Sequence, residues 1–314
     1  MVSFWKHAPG AMRLSAILCL SLAVISCSNP DDGHGSDTRP FVVTTTTMIT
    51  DLVKDIAGDK VRIKGLMGPG VDPHLYEPVP DDAIALRQAD VVFYNGLLLE
   101  GQMTSVLEGK GEKAVSLGAS VAEDELKGSA EHPDPHIWGN ALLWSRCVPV
   151  VVDALAGADP ENAQLYRQRG DTVRKGLEEL HQWAVQQVAG VPEQARVLIT
   201  SHDAFEYFGD AYGFKVIGLQ GISTVTEAGI AQRVKLVDYI RQHSVKAIFV
   251  ESSVSPAAIE SIAEDSGVKI GGELFSDAMG EPGEIERSGD DDYDLGTYSG
   301  MLKHNINTTV NALK

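Results

Sequence analysis

From Phe41 onward, short apolar runs alternate with amphipathic helical segments, and this alternation constrains the fold more than any other feature. Most of the apolar runs are followed by a turn residue and then by a helical period, as in repeated βαβ units. Such units build parallel sheets covered by helices, so the sequence predicts an α/β fold. The strand candidates lie at 41–45, 61–66, 91–94, 196–200, 215–219, 245–250 and 268–273.

The segment 159–191 has a different pattern. Asp159, Pro160 and Glu161 have the order of an N-cap, a first-turn proline and a first-turn acid, and apolar residues follow at helical spacing. We expect one helix of about 30 residues here, about 45 Å long. Because it lies between two α/β halves, it predicts two lobes joined by a rigid backbone helix. The predicted boundaries are 41–157 for the first lobe, 158–191 for the helix and 192–314 for the second lobe.

The two halves resemble each other in sequence. A helix end, a turn and a strand read DIAGDKVRIKGLMG at 55–68 and DAYGFKVIGLQG at 210–221. A duplicated α/β unit gives two similar lobes with a cleft between them. In open α/β sheets, ligands bind at the carboxyl ends of the strands, so the residues after each strand are candidates for the binding site.

Four side chains in such places can bind a metal ion: His74, His136, His202 and Asp277. The tripeptide Asp-Pro-His occurs at both His74 and His136, and proline restricts the backbone before the imidazole. Three imidazoles and a carboxylate suit zinc, iron or manganese. Two ligands from each half place one ion between the lobes. The alternative for each histidine is a surface or capping role, and His202 also fits as the N-cap of the next helix.

The amino-terminal residues predict export. Lys6 and Arg13 are followed by an apolar run at 14–25, which is too short to span a bilayer and is typical of a signal peptide. The sequence Val-Ile-Ser-Cys that ends at Cys27 resembles a bacterial lipobox. It predicts a signal peptide at 1–26, a lipid on Cys27 and a flexible tether at 27–40; the alternative is an ordinary signal peptide. Both Met1 and Met12 fit as translation starts.

The net charge, the cysteines, the other histidines and one acidic run give further expectations. A net charge of −18 argues against a nucleic-acid partner, because phosphate binding needs a surplus of lysine and arginine. Cys19 leaves with the signal peptide, so Cys147 alone remains as a thiol, and we expect it to be buried. We expect solvent-exposed positions for His181 and His243. The acidic run 281–294 predicts a solvated loop, with attraction of cations as the alternative.

Six motifs together resemble the metal-binding lipoproteins of bacterial zinc and manganese ABC importers, the TroA-like cluster of solute-binding proteins (family 9). They read DPHLYEP at 72–78, DPHIW at 134–138, TSHDAFEYF at 200–208, GLQGIS at 218–223, FVESS at 249–253 and FSDAMG at 275–280. The resemblance covers Phe41 to the carboxyl terminus. It implies two α/β lobes joined by one rigid helix, with one ion in the cleft bound by His74, His136, His202 and Asp277.

The resemblance also implies a function. An extracytoplasmic, lipid-anchored monomer would capture a divalent metal ion and deliver it to a membrane permease that is driven by a cytoplasmic ATPase. It would not be an enzyme. The alternatives are a surface adhesin with the same fold and a zinc-dependent hydrolase, which needs an open coordination position and a general base. The His-Glu-x-x-His motif of many zinc hydrolases does not occur in the sequence.

The cargo has two opposite indications. Dedicated zinc binders of this group often carry a long loop rich in histidine and acidic residues between the first and second ligands, and this interval holds only His132. The stability series, by contrast, favours zinc over manganese at three imidazoles and a carboxylate. Manganese and zinc both stay open, and iron is a third candidate. Asp72, Glu77, Asp134, Asp203 and Glu251 are near enough in sequence or position to orient an imidazole.

Overall fold

The computed structural model describes residues 37–288 and 291–314. Its amino-terminal half contains a four-stranded parallel sheet. The predicted signal peptide 1–26, Cys27 and most of the predicted tether 27–40 lie outside the described residues. The order of the strands is β2-β1-β3-β4, and Val42 of β1 lies between Ile63 of β2 and Val91 of β3. The strands are β1 (Phe41–Thr44), β2 (Arg62–Gly65), β3 (Val91–Tyr94) and β4 (Ala114–Ser116).

The carboxyl-terminal half repeats this arrangement in two parallel pairs, β5 with β6 and β7 with β8. Their bounds are β5 (Val197–Thr200), β6 (Lys215–Gly218), β7 (Ala247–Glu251) and β8 (Lys269–Leu274). β5 lies alongside β7, so the spatial order β6-β5-β7-β8 matches β2-β1-β3-β4. The predicted α/β architecture with two similar halves is therefore present, and all seven predicted strands form. β4 was not predicted.

Ten helices cover the strands in the described part of the chain. They are α1 (Thr47–Ala57), α2 (Pro80–Gln88), α3 (Thr104–Glu108), α4 (Ala141–Ser145), α5 (Cys147–Ala158), α6 (Ala163–Val188), α7 (Glu206–Tyr212), α8 (Ile230–His243), α9 (Ala257–Ser266) and α10 (Tyr298–Leu313). α6 is the predicted long helix, with 26 residues. It begins later than predicted because Pro160–Asn162 forms a 3₁₀ turn, and the Asp159 carboxylate accepts a hydrogen bond from Tyr166 Oη (2.6 Å) instead of capping the helix.

One hydrophobic core extends through both halves. α6 packs against α1 and α5 of the first half and against α7 and α10 of the second. The inward residues Val42 and Phe93 of the first sheet and Leu198 and Phe249 of the second half belong to the same buried cluster. Their neighbours on the opposite faces form two smaller clusters. Moving the halves apart would expose part of this shared core, at about 25 cal/mol per Å² of apolar surface.

Two local expectations are wrong. The acidic run 281–294 contains an antiparallel hairpin, β9 (Ile285–Ser288) and β10 (Asp291–Asp294), instead of a plain loop. Tyr293 of β10 is buried and donates a hydrogen bond to Glu286 across the strands (2.9 Å), which stabilises the pairing. His181 of α6 is buried instead of solvated, since its ring packs 5.4 Å from that of Tyr212.

The stretch 141–158 is long and apolar enough to cross a membrane by length and composition. Many of its apolar side chains nevertheless belong to the protein core: Trp144, Cys147, Val151 and Leu155 are all buried. Core helices of soluble domains pass the same test of length and hydropathy. Burial of Cys147 agrees with its predicted role, and it raises the pKa of the thiol to about 12.

Two glycines inside α6 give a matched test of this packing. A Cβ on Gly170 would lie 2.6 Å from Cγ2 of Val152 on α5, whereas a Cβ on Gly176 meets no atom within 4 Å. Because valine is stiff, we expect Gly170→Ala to lower the free energy of unfolding by about 1–2 kcal/mol. Gly176→Ala should raise it by about 0.5–1 kcal/mol through helix propensity. Urea denaturation of the metal-free protein measures both, and equal stability of the two variants would contradict the close approach of α5 and α6.

Candidate metal centre

The four predicted ligands come from separate segments that meet at the carboxyl ends of the strands. His74 lies in a turn between β2 and α2, His202 lies two residues after β5, and Asp277 lies three residues after β8. His136 directly precedes a 3₁₀ turn over Ile137–Gly139. Each half therefore supplies two side chains.

Their donor atoms converge on one point. The Nε2 atom of His136 lies 3.4 Å from Nε2 of His74 and 3.4 Å from Nε2 of His202. Asp277 places Oδ1 3.3 Å from Nε2 of His136 and Oδ2 3.3 Å from Nε2 of His202. One ligand atom from each of the four residues lies within 4.8 Å of every other. The four side chains thus form a single cluster that is buried on all sides.

These distances fit a metal ion. In a tetrahedral site the distance between donors is about 1.6 times the metal–ligand distance, so bonds of about 2.0–2.1 Å separate the donors by about 3.4 Å. Both oxygens of Asp277 are buried and accept no hydrogen bond from the described residues. A carboxylate in that state is stable only beside positive charge. Because each oxygen faces a different imidazole, Asp277 can bind an ion through one oxygen or both.

Two carboxylates orient two of the imidazoles. Asp134 Oδ1 accepts hydrogen bonds from Nδ1 (2.7 Å) and from the backbone N–H (2.9 Å) of His136. Glu251 Oε1 accepts from the backbone N–H of His202 (2.9 Å), and Glu251 Oε2 lies 2.6 Å from Nδ1 of the same residue. Carboxylates at Nδ1 hold a proton on that nitrogen and leave the lone pair of Nε2 for an ion. Of the five predicted orienting residues, Asp134 and Glu251 contact an imidazole in this way, and Glu77 is exposed.

The electrostatics differ among the three histidines. Burial alone lowers the pKa of an imidazole, but the charges of Asp134 and Asp277 raise the pKa of His136 to about 9. Burial is likewise outweighed at His202, where Glu251 and Asp277 raise the pKa well above its ordinary value. For His74 burial dominates and lowers the pKa to about 4. Burial would raise the pKa of Asp277, yet His202 and His136 hold it well below the usual range.

Three further residues fix the loops of the site, and their roles were not predicted from the sequence. Trp138 Nε1 donates to the carbonyl of Ser276 (2.7 Å), which joins the His136 loop to the Asp277 loop. Asn95 Nδ2 donates to the carbonyl of Pro135 (2.9 Å), and Tyr207 Oη donates to the carbonyl of Asp134 (3.1 Å). Asn95 directly follows β3, so inspection of the residues after each strand, which indicated the candidate ligands, could also have indicated Asn95. For Tyr207 no sequence signal was available.

Other histidines lie elsewhere. His304 pairs its Nδ1 with Glu286 (2.5 Å) and its Nε2 with the carbonyl of Glu273 (2.9 Å), so it is not part of the cluster. His243 is exposed and stacks on Tyr239, as expected for a surface residue. His132 lines a cavity of about 360 Å³ beside the cluster. Of the four predicted ligands, only His74 lines this cavity, which therefore approaches the site from the His74 side.

Comparison with known proteins gives consistent matches over nearly the whole chain. Residues 42–312 match the family described as ZnuA, zinc-uptake complex component A, periplasmic. The manganese-binding lipoprotein MntA of Bacillus subtilis is 41% identical over 310 residues, which cover 96% of this chain and 98% of MntA. The manganese ABC transporter substrate-binding lipoprotein PsaA of Streptococcus pneumoniae is 30% identical, with 96% and 98% covered. The structure of the periplasmic zinc-binding protein TroA from Treponema pallidum superposes with a TM-score of 0.82 at 41% identity, covering 88% of this chain and 99% of TroA.

The raised pKa values predict that metal and protons compete at this centre. In the metal-free protein at pH 7, His136, with a pKa of about 9, holds a proton on Nε2, and the raised pKa of His202 favours a proton on its Nε2, whereas His74 is neutral. We expect Zn²⁺ binding to release about two protons at pH 7 and to tighten as pH rises from 6 to 8.

Calorimetry in buffers of different ionisation enthalpy measures the proton release. Asp134→Asn removes the charge that most raises the pKa of His136, so this variant should release about one proton fewer. It should also bind Zn²⁺ about 10–100-fold more weakly, because the imidazole loses its orienting carboxylate. An affinity that does not change between pH 6 and pH 8 would contradict the assigned charges.

Proposed function

The chain belongs to the ZnuA family, and from that premise we propose that it is the extracytoplasmic solute-binding protein of an ABC importer, with a divalent metal ion as its substrate. The ion is manganese or zinc, in keeping with the manganese-binding name of MntA and the zinc-binding name of TroA. The protein would capture the ion outside the cytoplasm and deliver it to the permease.

The convergence of His74, His136, His202 and Asp277 carries this proposal. We assign these four residues as the ligands, because they bring three nitrogens and a carboxylate to one buried point from both halves of the chain. Such a set binds one ion tightly without activating it. Asp134 and Glu251 hold a proton on Nδ1 of two imidazoles, so Nε2 is the nitrogen that binds the ion once its own proton is displaced.

Release follows from the same geometry. Each half supplies two ligands, so separating the halves removes two of them at once and most of the affinity with them. The shared core around α6 opposes a large separation, because it would expose apolar surface. We therefore expect delivery to require a small displacement of loops and ligands instead of a wide opening of the cleft. The proposed lobes are 41–157 and 192–314, joined by the helix segment 158–191.

The donor set is compatible with both ions. Three imidazole nitrogens with one carboxylate oxygen give the four-coordinate geometry that zinc prefers. If both oxygens of Asp277 bind, the ion gains a fifth donor. Manganese, which favours carboxylate oxygens more than zinc does, can use this extra donor. The protein thus has one site that can adjust its coordination number through a single carboxylate.

The partners follow from membership in an importer. We propose a permease with a cytoplasmic ATPase as the receiving complex and a monomeric binding protein. A lipid on Cys27 would hold it to the membrane, on the periplasmic side or at the cell surface. An enzymatic role is disfavoured, because four protein ligands fill a tetrahedral site, including the one position that a catalytic zinc keeps open for water. Asp134 and Glu251 also face the Nδ1 side of their imidazoles, away from the position of the ion.

Substitution of single ligands tests the proposal. Wild-type protein should bind one Zn²⁺ or Mn²⁺ per chain, and His74→Ala and Asp277→Ala should each weaken binding at least about 100-fold, since each removes a direct ligand. His132→Ala is the matched control, because His132 lines the adjacent cavity without joining the cluster. Elemental analysis gives the stoichiometry and chelator competition gives the affinity. If both ligand variants bind like the wild type, the assigned site is wrong.

A further inference from the structure

The two copies of Asp-Pro-His use their aspartates differently. Asp134 Oδ1 accepts hydrogen bonds from the backbone N–H and from Nδ1 of His136, so it serves its own loop. Asp72 Oδ1 accepts from the backbone N–H of His74 (2.8 Å), but Oδ2 accepts from Oγ1 of Thr224 (2.6 Å). One carboxylate therefore binds the His74 turn with one oxygen and the opposite half of the protein with the other.

Thr224 lies in the loop 219–229 that joins β6 to α8. The residues just before it in this loop, Gly221, Ile222 and Ser223, line the cavity beside His74. Leu97 and Leu98 of the first half also line this cavity. The loop 219–229 thus borders the cavity on one side, and the bond from Thr224 ties that border to the His74 turn.

His74 is also the ligand nearest to this cavity. Its side chain is 6% exposed, whereas His136 and His202 are fully buried and Asp277 is 1% exposed. A ligand that faces a cavity can detach without displacing the core, so the ion would first lose its bond to His74. The contact that holds the His74 turn against the second half would then control how often this happens.

Resting on the proposed function, we propose that the hydrogen bond from Thr224 to Asp72 is an interlobe latch that slows metal release. While the latch is closed, Asp72 fixes the backbone of His74 and the loop 219–229 borders the cavity. When this hydrogen bond breaks, the His74 turn and the loop 219–229 are no longer held together, and His74 can leave the ion. Val225, Thr226 and Glu227 follow Thr224 directly and are exposed, so a partner that draws this loop outward would open the latch.

Metal dissociation rates test the latch. Thr224→Val keeps the shape of the side chain and removes the donor, and Thr224→Ser restores it. A hydroxyl-to-carboxylate bond is charge-assisted, so we expect Thr224→Val to release Zn²⁺ and Mn²⁺ about tenfold faster. Thr224→Ser and the matched control Thr226→Val, at an exposed position of the same loop, should stay within about twofold of wild type. The rates are followed by stopped flow after mixing the loaded protein with excess chromogenic chelator.

A double-mutant cycle with Asp72→Ala separates the latch from general destabilisation. Asp72→Ala alone should also accelerate release, and adding Thr224→Val to it should change the rate no further, because the partner is already gone. Additive effects of the two substitutions would overturn the latch.

The two proposals fail in different ways. If wild-type protein binds neither Zn²⁺ nor Mn²⁺, the proposed function is wrong. If His74→Ala weakens binding while Thr224→Val releases metal at the wild-type rate, the site stands and only the latch is overturned.

Discussion

The structure depends on keeping three imidazoles and a carboxylate together in a buried cluster. Nitrogens 3.4 Å apart repel one another when they are protonated and leave unused lone pairs when they are not. The cluster is stable only when positive charge is shared between the ring nitrogens and Asp277, either from protons or from an ion. The surrounding loops, the orienting carboxylates and the division of ligands between two halves all follow from that requirement.

One part of the chain holds the two halves together, and another part allows the ion to leave. The core that α6 shares with both sheets resists large movements of one half against the other. Beside His74, by contrast, the halves meet at a cavity and are joined by the bond from Thr224 to Asp72. A binding protein with this distribution of contacts can hold its ion with a fixed cluster and still lose it through one ligand. The motion needed for delivery is then local.

Much of the fold was predictable because periodicity and turn residues report on local structure. All seven predicted strands form, and each of their ends lies within two residues of the prediction. The four residues of the cluster were identified because strand ends and the repeated Asp-Pro-His give each of them a signal in its own segment. β4 was missed because it has only three residues, none of them fully buried, so it carries no long apolar run.

The features that could not be predicted from the sequence depend on contacts between distant segments. His181 is a polar residue on a helix with exposed neighbours, and only the fold places the ring of Tyr212 against it. The pairing of Asp72 with Thr224 joins residues 152 positions apart, and neither residue type predicts its partner. Among five acidic residues near the ligands, sequence could not show which two would face an imidazole, because that depends on the path of each loop in space.

If one ion is bound by residues of both halves, anomalous scattering from crystals grown with Mn²⁺ or Zn²⁺ will locate it between them. We expect one strong peak within bonding distance, about 2.0–2.3 Å, of Nε2 of His74, His136 and His202 and of a carboxylate oxygen of Asp277. A peak bound by residues of one half alone, or a peak outside this cluster with none inside it, would show that the ion is not shared between the halves.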